Sequence, residues 1–378
     1  MVQKRNHNMN IIKKRLLFPV LIKLGQIKAY LSSWFHIPKK ILIISAPANG
    51  VGNTILYLPV LKKIRESYPN AEIIFSGSKL AQAVLENSGL VDKFHPAHWF
   101  YEWNGWKCLR EIEREGYDLV IETYPGYIGI GYRVLLSLLS RASYWATPSL
   151  YQGRFFSGRH ETKENFWPLQ KLGRIKINAE DLLPELNLTN GELKVGEGLF
   201  NSLNIKDKIV IGMHIGSGEE QKFKRWSLEY FKRLISIILE KTSIIVLLFG
   251  GKGEVELNEQ LVKEFGDRII NVAGKFTLRQ TASIIRLCDL FLSNDSGLMH
   301  LASAVGCPII AIFGPTSEEK NAPLGEKGKI KILTAPVSCR PCYIKKRSYA
   351  LECAHRKCLN LITPEIVWKE IEDILKPK

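Results

Sequence analysis

The stretch Leu290-Phe291-Leu292-Ser293-Asn294-Asp295-Ser296-Gly297-Leu298-Met299-His300-Leu301-Ala302-Ser303-Ala304-Val305-Gly306-Cys307-Pro308 decides the fold. A short apolar run ends in a polar turn, a helical segment follows and stops at Gly306, and Pro308 opens the next run. Strand, turn, helix and strand in that order are the repeating unit of a parallel α/β sheet. The turn leaves the backbone amides of Ser296, Gly297 and Leu298 free at the positive end of a helix, which makes a seat for a phosphate. Gly297 lets a ligand approach the backbone closely. Asp295 repels a diphosphate unless it faces something else, so hydroxyls or helix capping are its expected partners. His300, in the first turns of the helix, is a candidate donor to a phosphate or sugar oxygen. Taken alone, the turn favours a plain cap by Asp295 or Ser296 with a structural histidine at His300.

Outward from that turn the signal strengthens. Pro308 to Phe313 is expected to be the last strand of the set, and it ends in a second permissive turn, Phe313-Gly314-Pro315-Thr316. Upstream, the strand Ile209 to Met213 runs into His214-Ile215-Gly216-Ser217-Gly218 and then Lys222-Phe223-Lys224-Arg225-Trp226. Those cations suit a diphosphate, or form a solvated basic loop. Helical spacing covers Leu228 to Leu239 and Glu254 to Phe265, and Leu278, Ala282 and Ile285 mark another helix. Ser243 to Phe249, which ends in Gly250-Gly251, and Ile269 to Val272 add strands, and Pro364 to Leu375 reads as a closing helix with proline at its first position.

The first half follows the same alternation. Ile41 to Ser45 is a short apolar run of the kind buried on both faces of a parallel sheet. A turn at Ala48-Asn49-Gly50-Val51-Gly52-Asn53-Thr54 opens a helix that ends near Pro69, and Ala71 to Phe75 and Leu119 to Glu122 are further strands. The polar stretch from Leu186 to Asp207 lacks an apolar period and is the expected domain boundary. A chain of 378 residues is longer than one core usually serves, so two open α/β sheets are expected, with ligands beyond the carboxyl ends of the strands.

Composition narrows the classes of function. With 46% hydrophobic and 24% charged residues the chain is neither disordered nor polytopic in a membrane, and no uncharged apolar run of about 18 residues occurs. A formal charge of +16 favours anionic partners. Nucleic acid has only that charge and the aromatics Trp99, Trp103 and Trp106 in its favour, without a recognised module, and it is not expected as a partner. Residues 1–38 combine a basic front with Leu17, Leu21 and Leu24 at helical spacing and Tyr30, Trp34 and Phe35 behind them. Lys23 and Lys28 interrupt the apolar segment and no small-residue cleavage site follows, which argues against a signal peptide. A helix lying on an anionic membrane surface and one packed on the first domain are both open. Cys339, Cys342, Cys353 and Cys358 form a tail cluster of moderate zinc-like spacing, for which free thiols in a reducing cytosol are favoured over a structural metal.

Together and in this order, the Gly52-to-Pro59 turn, Lys224-Arg225-Trp226, Gly250-Gly251 with Glu254, Asp295-Ser296-Gly297 to His300, and Phe313-Gly314-Pro315-Thr316 resemble glycosyltransferase family 9, the heptosyltransferases of lipopolysaccharide core assembly. The resemblance covers roughly residues 40 to 375. It implies a GT-B fold, two facing Rossmann-like doubly wound domains with a C-terminal helix. Residues 39–190 would be the acceptor domain, 206–350 the donor-binding domain, and 351–378 a Cys-containing tail and final helix. It implies an inverting, metal-independent transfer with no cofactor, most simply of heptose from ADP-heptose to a lipid-linked acceptor. The expected place is the cytoplasm, peripherally at the inner face of the membrane. By position, Lys224 resembles the phosphate-binding lysine, Glu254 the carboxylate on the donor ribose, Asp295, Ser296, Gly297 and His300 the donor loop, and Ser217 a weaker match. Gly52 falls on the acceptor side. Where the family commonly carries Gly-Asp, with the aspartate as base, this chain has Gly52-Asn53, and asparagine takes no proton. Asp118 or Glu122 substituting as base, Asn53 positioning the acceptor, and a binding relative that has lost turnover are the alternatives.

Overall fold

The computed structural model describes residues 24, 25, 27, 37–45, 50–96, 105–123, 138–146, 160–171, 175–343 and 353–376. Contacts divide the chain into two compact units: Met1–Gly50 with Pro59–Leu182, and Val51–Leu58 with Leu183–Lys378.

In the first unit the chain runs through β1 (Lys40–Ile44), α1 (Val51–Ser67), β2 (Glu72–Gly77), α2 (Lys79–Leu85), β3 (Lys93–Pro96), α3 (Gly105–Glu115), β4 (Leu119–Glu122) and β5 (Ser143–Ala146). The first eight residues of α1 cluster with the second unit. All strand pairs are parallel, in the order β3-β2-β1-β4-β5. Ile41 to Ile44 are wholly buried, as a strand covered on both faces requires. The edge strands β3 and β5 are four residues each and lack the apolar run that marks the centre, which hides them in the sequence. Asp118 accepts hydrogen bonds from the amides of Lys39 (2.8 Å) and Lys40 (2.9 Å) and so ties the amino ends of β1 and β4 together. Glu122 stands at the other end of β4, opposite Ile44 of β1 and Ala146 of β5, and is 1% exposed.

The second unit comprises α4 (Asn190–Ser202), β6 (Val210–His214), α5 (Leu228–Lys241), β7 (Ile245–Leu248), α6 (Val255–Phe265), β8 (Ile269–Asn271), α7 (Leu278–Arg286), β9 (Leu290–Asn294), α8 (Gly297–Ala304), β10 (Ile309–Phe313), β11 (Ile330–Thr334) and α9 (Pro364–Leu375). Its parallel sheet has the order β11-β10-β9-β6-β7-β8. The order reverses between β6 and β9, which is where an open α/β sheet forms its crevice. Two expectations are corrected. Pro308 to Phe313 is not the last strand, because the half-exposed β11 adds an edge beyond it. The stretch expected as a boundary holds α4, whose stability comes from a capping box between Thr189 and Glu192 and from packing on α7 instead of a wide apolar stripe. Arg279 of α7, 3% exposed, donates to Glu192 at 2.6 Å.

Helix α9 begins with Thr363 capping Ile366 and buries Val367, Trp368 and Ile371 against α5 and the sheet. It belongs to the same core as Phe231, Leu234 and Ile238. No helix among the described residues is long and apolar enough to cross a membrane. Of residues 1–36 only Leu24, Gly25 and Ile27 are described; they are helical, and Leu24 and Ile27 are exposed. The membrane-surface expectation for the lead, and the aromatic segment Trp99 to Asn104, lie outside the described residues apart from these.

Candidate functional site

Three turns meet at the carboxyl ends of β6, β9 and β10, which are adjacent in the sheet. Asn294 ties the turn after β9 to the turn after β6 and to the basic loop. It is the last residue of a strand buried throughout, its Oδ1 accepts from the amide of Trp226 (2.8 Å), and its Nδ2 donates to the carbonyls of Ile215 (3.1 Å) and Gly216 (3.0 Å). Trp226 is locked in turn, its Nε1 donating to the carbonyl of Ile362 at 2.7 Å. The basic loop is therefore anchored at Trp226 to both the sheet and the tail.

Lys224 Nζ lies 2.9 Å from Asp295 Oδ2, with both side chains at most 10% exposed. The geometry is that of an ion pair without a well-directed hydrogen bond to that oxygen. Asp295 thus faces a cation, not hydroxyls. Neither Asp295 nor Ser296 caps α8: Ser296 occupies the cap position but makes no side-chain cap bond. No side chain of the turn caps the leading amides of α8. A Cβ on Gly297 would fall 2.9 Å from the Cβ of Val51, and one on Gly52 would fall 2.8 Å from Cδ2 of His300. Gly52 and His300 are therefore neighbours, and only glycine fits at either contact. Asn53 lies in the first turn of α1, half-buried.

Glu254 opens α6 at the carboxyl end of β7. Its carboxylate accepts from the amide of Gly251 (2.9 Å), lies 3.2 and 3.3 Å from His214 Nε2, and sits 4.0 Å from Arg225. Burial alone would raise its pKa; the bond and charge of His214, the Gly251 amide and Arg225 together outweigh it and hold the carboxyl below its ordinary range. On its far side the His214 ring meets Ser296 Oγ at 2.9 Å, and Ser296 Oγ meets Ser293 Oγ at 3.0 Å. Ser217, 2% exposed, spends its hydroxyl on the carbonyl of Gln221 (2.8 Å) and accepts from Arg225 (3.2 Å), so it shapes the loop.

The turn after β10 is held from the tail. Arg340 donates to the carbonyls of Gly314 (3.0 Å) and Thr316 (3.2 Å) and pairs with Glu318 at 2.8 Å. Tyr343 stacks on Phe223 at 5.2 Å, and Lys224 Nζ lies 5.9 Å from the Tyr343 ring centre. Cys339, Cys342, Cys353 and Cys358 are free thiols, and no three metal-ligating side chains converge among the described residues. Burial and the neighbouring thiols of Cys342, Cys339 and Cys353 push Cys358 up to about 11.

The structure thus gathers Lys224, Glu254, Asp295, Ser296, Gly297, His300 and Gly52 into the second unit, with Ser217 behind them. Asp118 lies at the amino ends of the strands of the first unit, away from any crevice, whereas Glu122 lies at the carboxyl ends. His214 and Arg340 were missed as site residues, and Arg225 and Asn294 were noted only as parts of their motifs. For His214 and Asn294 the signal was present: a polar residue ending an otherwise apolar, fully buried strand.

Two parallel α/β units, one with a helix that lacks a side-chain cap beside its switch point, are the components of a GT-B protein. Solved structures agree: the chain is similar to a glycosyl transferase of family 9 from Veillonella parvula (TM-score 0.71, 21% identity, 90% of this chain and 98% of that one). It is also similar to the Escherichia coli ADP-heptose LPS heptosyltransferase II (TM-score 0.65, 20% identity, 89% and 98%). The fold is GT-B. Residues 168–352 match the model of glycosyltransferase family 9 (heptosyltransferase). A lipooligosaccharide heptosyltransferase 2 of Campylobacter jejuni is 26% identical over 86% of this chain and 97% of its own length. The lipopolysaccharide heptosyltransferase 2 of Salmonella typhimurium is 28% identical over 51% and 54%. Over residues 168–352 the chain is similar to glycosyltransferase family 9, and it is a glycosyltransferase.

Proposed function

We propose that this enzyme transfers heptose from ADP-heptose to a lipopolysaccharide-core or related surface-glycan acceptor, with inversion at the anomeric carbon and without a metal. The observation that carries the donor side is the buried Lys224–Asp295 pair beside the open amino end of α8. A diphosphate at that end meets amide N–H groups and an ammonium, which neutralise the charge that grows on the leaving group as the glycosidic bond breaks. Asp295 holds Lys224 until the ligand arrives. Glu254, kept ionised, is the acceptor for ribose hydroxyls, and His300 donates to the phosphate or the sugar. The sugar and nucleotide are assigned from what the relatives are named for, supported by this chemistry.

The acceptor hydroxyl attacks the anomeric carbon, the bond to the phosphate oxygen breaks, and the hydroxyl proton passes to a base. Asn53 orients the hydroxyl, and Glu122 is the carboxylate placed at the ligand-bearing end of the first sheet. The reaction belongs at the inner face of the cytoplasmic membrane, with the basic lead against anionic lipid. Incubation with a panel of nucleotide sugars and a core-oligosaccharide lipid acceptor, with and without EDTA, tests this: ADP-heptose alone should support transfer, undiminished by chelation. Asn53 favours one other reading, a binding relative without turnover, for which ADP-heptose would bind and no acceptor would be glycosylated.

A further inference from the structure

The donor chemistry proposed above uses the turns after β6, β7 and β9 and gives no part to the turn after β10. The strand order β10-β9-β6-β7 gives a nucleotide sugar a direction across the carboxyl ends of the sheet. Glu254, the proposed ribose acceptor, opens α6 after β7, and the amino end of α8, the proposed diphosphate seat, follows β9. Nucleoside, diphosphate and sugar are joined in that sequence. A donor held at these two places therefore carries its sugar away from β7, toward the turn after β10.

That turn has an aromatic wall supplied by the tail. The carbonyl of Pro315 accepts from the amides of Cys342 (3.0 Å) and Tyr343 (3.1 Å), while Arg340 holds the carbonyls on either side, those of Gly314 and Thr316. Tyr343 is thereby fixed beside the diphosphate seat, its ring centre 5.9 Å from Lys224 Nζ. Phe223, 5% exposed, backs the ring at 5.2 Å with the two planes 23° apart, and Tyr343 itself stays partly exposed. A backed, partly exposed ring offers the apolar face of a sugar a flat surface, with a phenol at its edge for a hydroxyl. A phosphate on Lys224 brings the sugar, joined to it through a single oxygen, within reach of that ring.

We infer that Tyr343 is a specificity-determining residue of the donor site, the surface on which the transferred sugar lies; this rests on the donor reading proposed above. The base belongs at the opposite end of the row, beyond Glu254, so Tyr343 reads the sugar and not the nucleoside.

The test is calorimetric titration of the full chain, without acceptor, with ADP and with ADP-heptose. Tyr343→Leu keeps an apolar side chain on Phe223 and should bind ADP as the native protein does, which shows that the site is formed. Its affinity for ADP-heptose should fall about two- to tenfold, the size of one aromatic contact. Tyr343→Phe keeps the ring and should retain most of that affinity. Thermal melting of both variants monitors folding. Native affinity of Tyr343→Leu for both ligands overturns this inference alone. So does an equal loss for ADP and ADP-heptose at native Tm, which would put the ring against the base or the phosphates. Failure of the native protein to bind either ligand overturns the donor reading and this inference together.

Discussion

Lys224 Nζ and Asp295 Oδ2 stand 2.9 Å apart in a buried pair, so the cation proposed to meet a diphosphate is held in place by a carboxylate. Removing one partner strands the other as a buried charge. Lys224→Met should therefore cost about 3–5 kcal/mol of stability, visible as a lower Tm, and should also weaken nucleotide binding. Lys224→Met with Asp295→Asn should recover most of the stability and none of the affinity. Recovery of both would show that the lysine does not act on the ligand.

The contact of Gly52 with His300 gives a second expectation. Gly52→Ala forces a methyl to within 2.8 Å of the ring, an overpacking that costs about 1–3 kcal/mol and displaces His300. Transfer should fall more than donor binding in calorimetry, and Gly52→Ala with His300→Ala should regain stability without regaining transfer.

Asn53, Asp118 and Glu122 separate in kinetics. Glu122→Gln should lower kcat by about 10²- to 10⁴-fold. Asp118→Asn weakens the bonds to the amides of Lys39 and Lys40 and should lower Tm with little change in kcat. Asn53→Asp should raise kcat in the Glu122→Gln background. Unchanged kcat in Glu122→Gln would remove that carboxylate from the reaction.

Acid should loosen α4 from α7. Burial raises Glu192, but its bond to Arg279, the Thr189 amide and the Arg279 charge outweigh that and lower its pKa on folding. A lowered folded pKa means stability present above the unfolded value and lost as pH falls through the folded one. Glu192→Gln should cost about 1–3 kcal/mol at neutral pH and flatten the acid side of the stability curve measured by urea melts.

Thiol chemistry should follow burial. Iodoacetamide at neutral pH should label the exposed Cys339 first, whereas Cys358, pushed up to about 11, and the buried Cys288 and Cys307 should react only after unfolding. Mass mapping of the labelled protein reads this out.

The central strands β1, β6, β7, β9 and β10 were legible because burial on both faces leaves an unbroken apolar run, and the turns behind them because glycine and helix polarity need no partner. The strands β3, β5 and β11 were not, since an edge strand has one covered side and few residues to carry a pattern. Lys224 and Glu254 were singled out by their place in motifs, but their partners were not. Glu254 meets His214 across 40 positions and Arg340 reaches Gly314 across 26, and a local pattern carries no record of such pairings. Asp295 looked awkward in sequence for that reason: its counterion lies 71 positions earlier, at Lys224.

The grip of Arg340 on Gly314 and Thr316, with Ile362 anchoring Trp226, has a consequence for synthesis. When the ribosome has polymerised residue 300, nearly every side chain proposed to touch the donor exists, yet Trp226 lacks its anchor and the turn after β10 has not been made. Those anchors leave the exit tunnel only after residue 362 has been made and extruded. A nascent chain therefore cannot hold nucleotide sugar early, and a product stopped by a nonsense codon between these points carries the motif without a formed pocket.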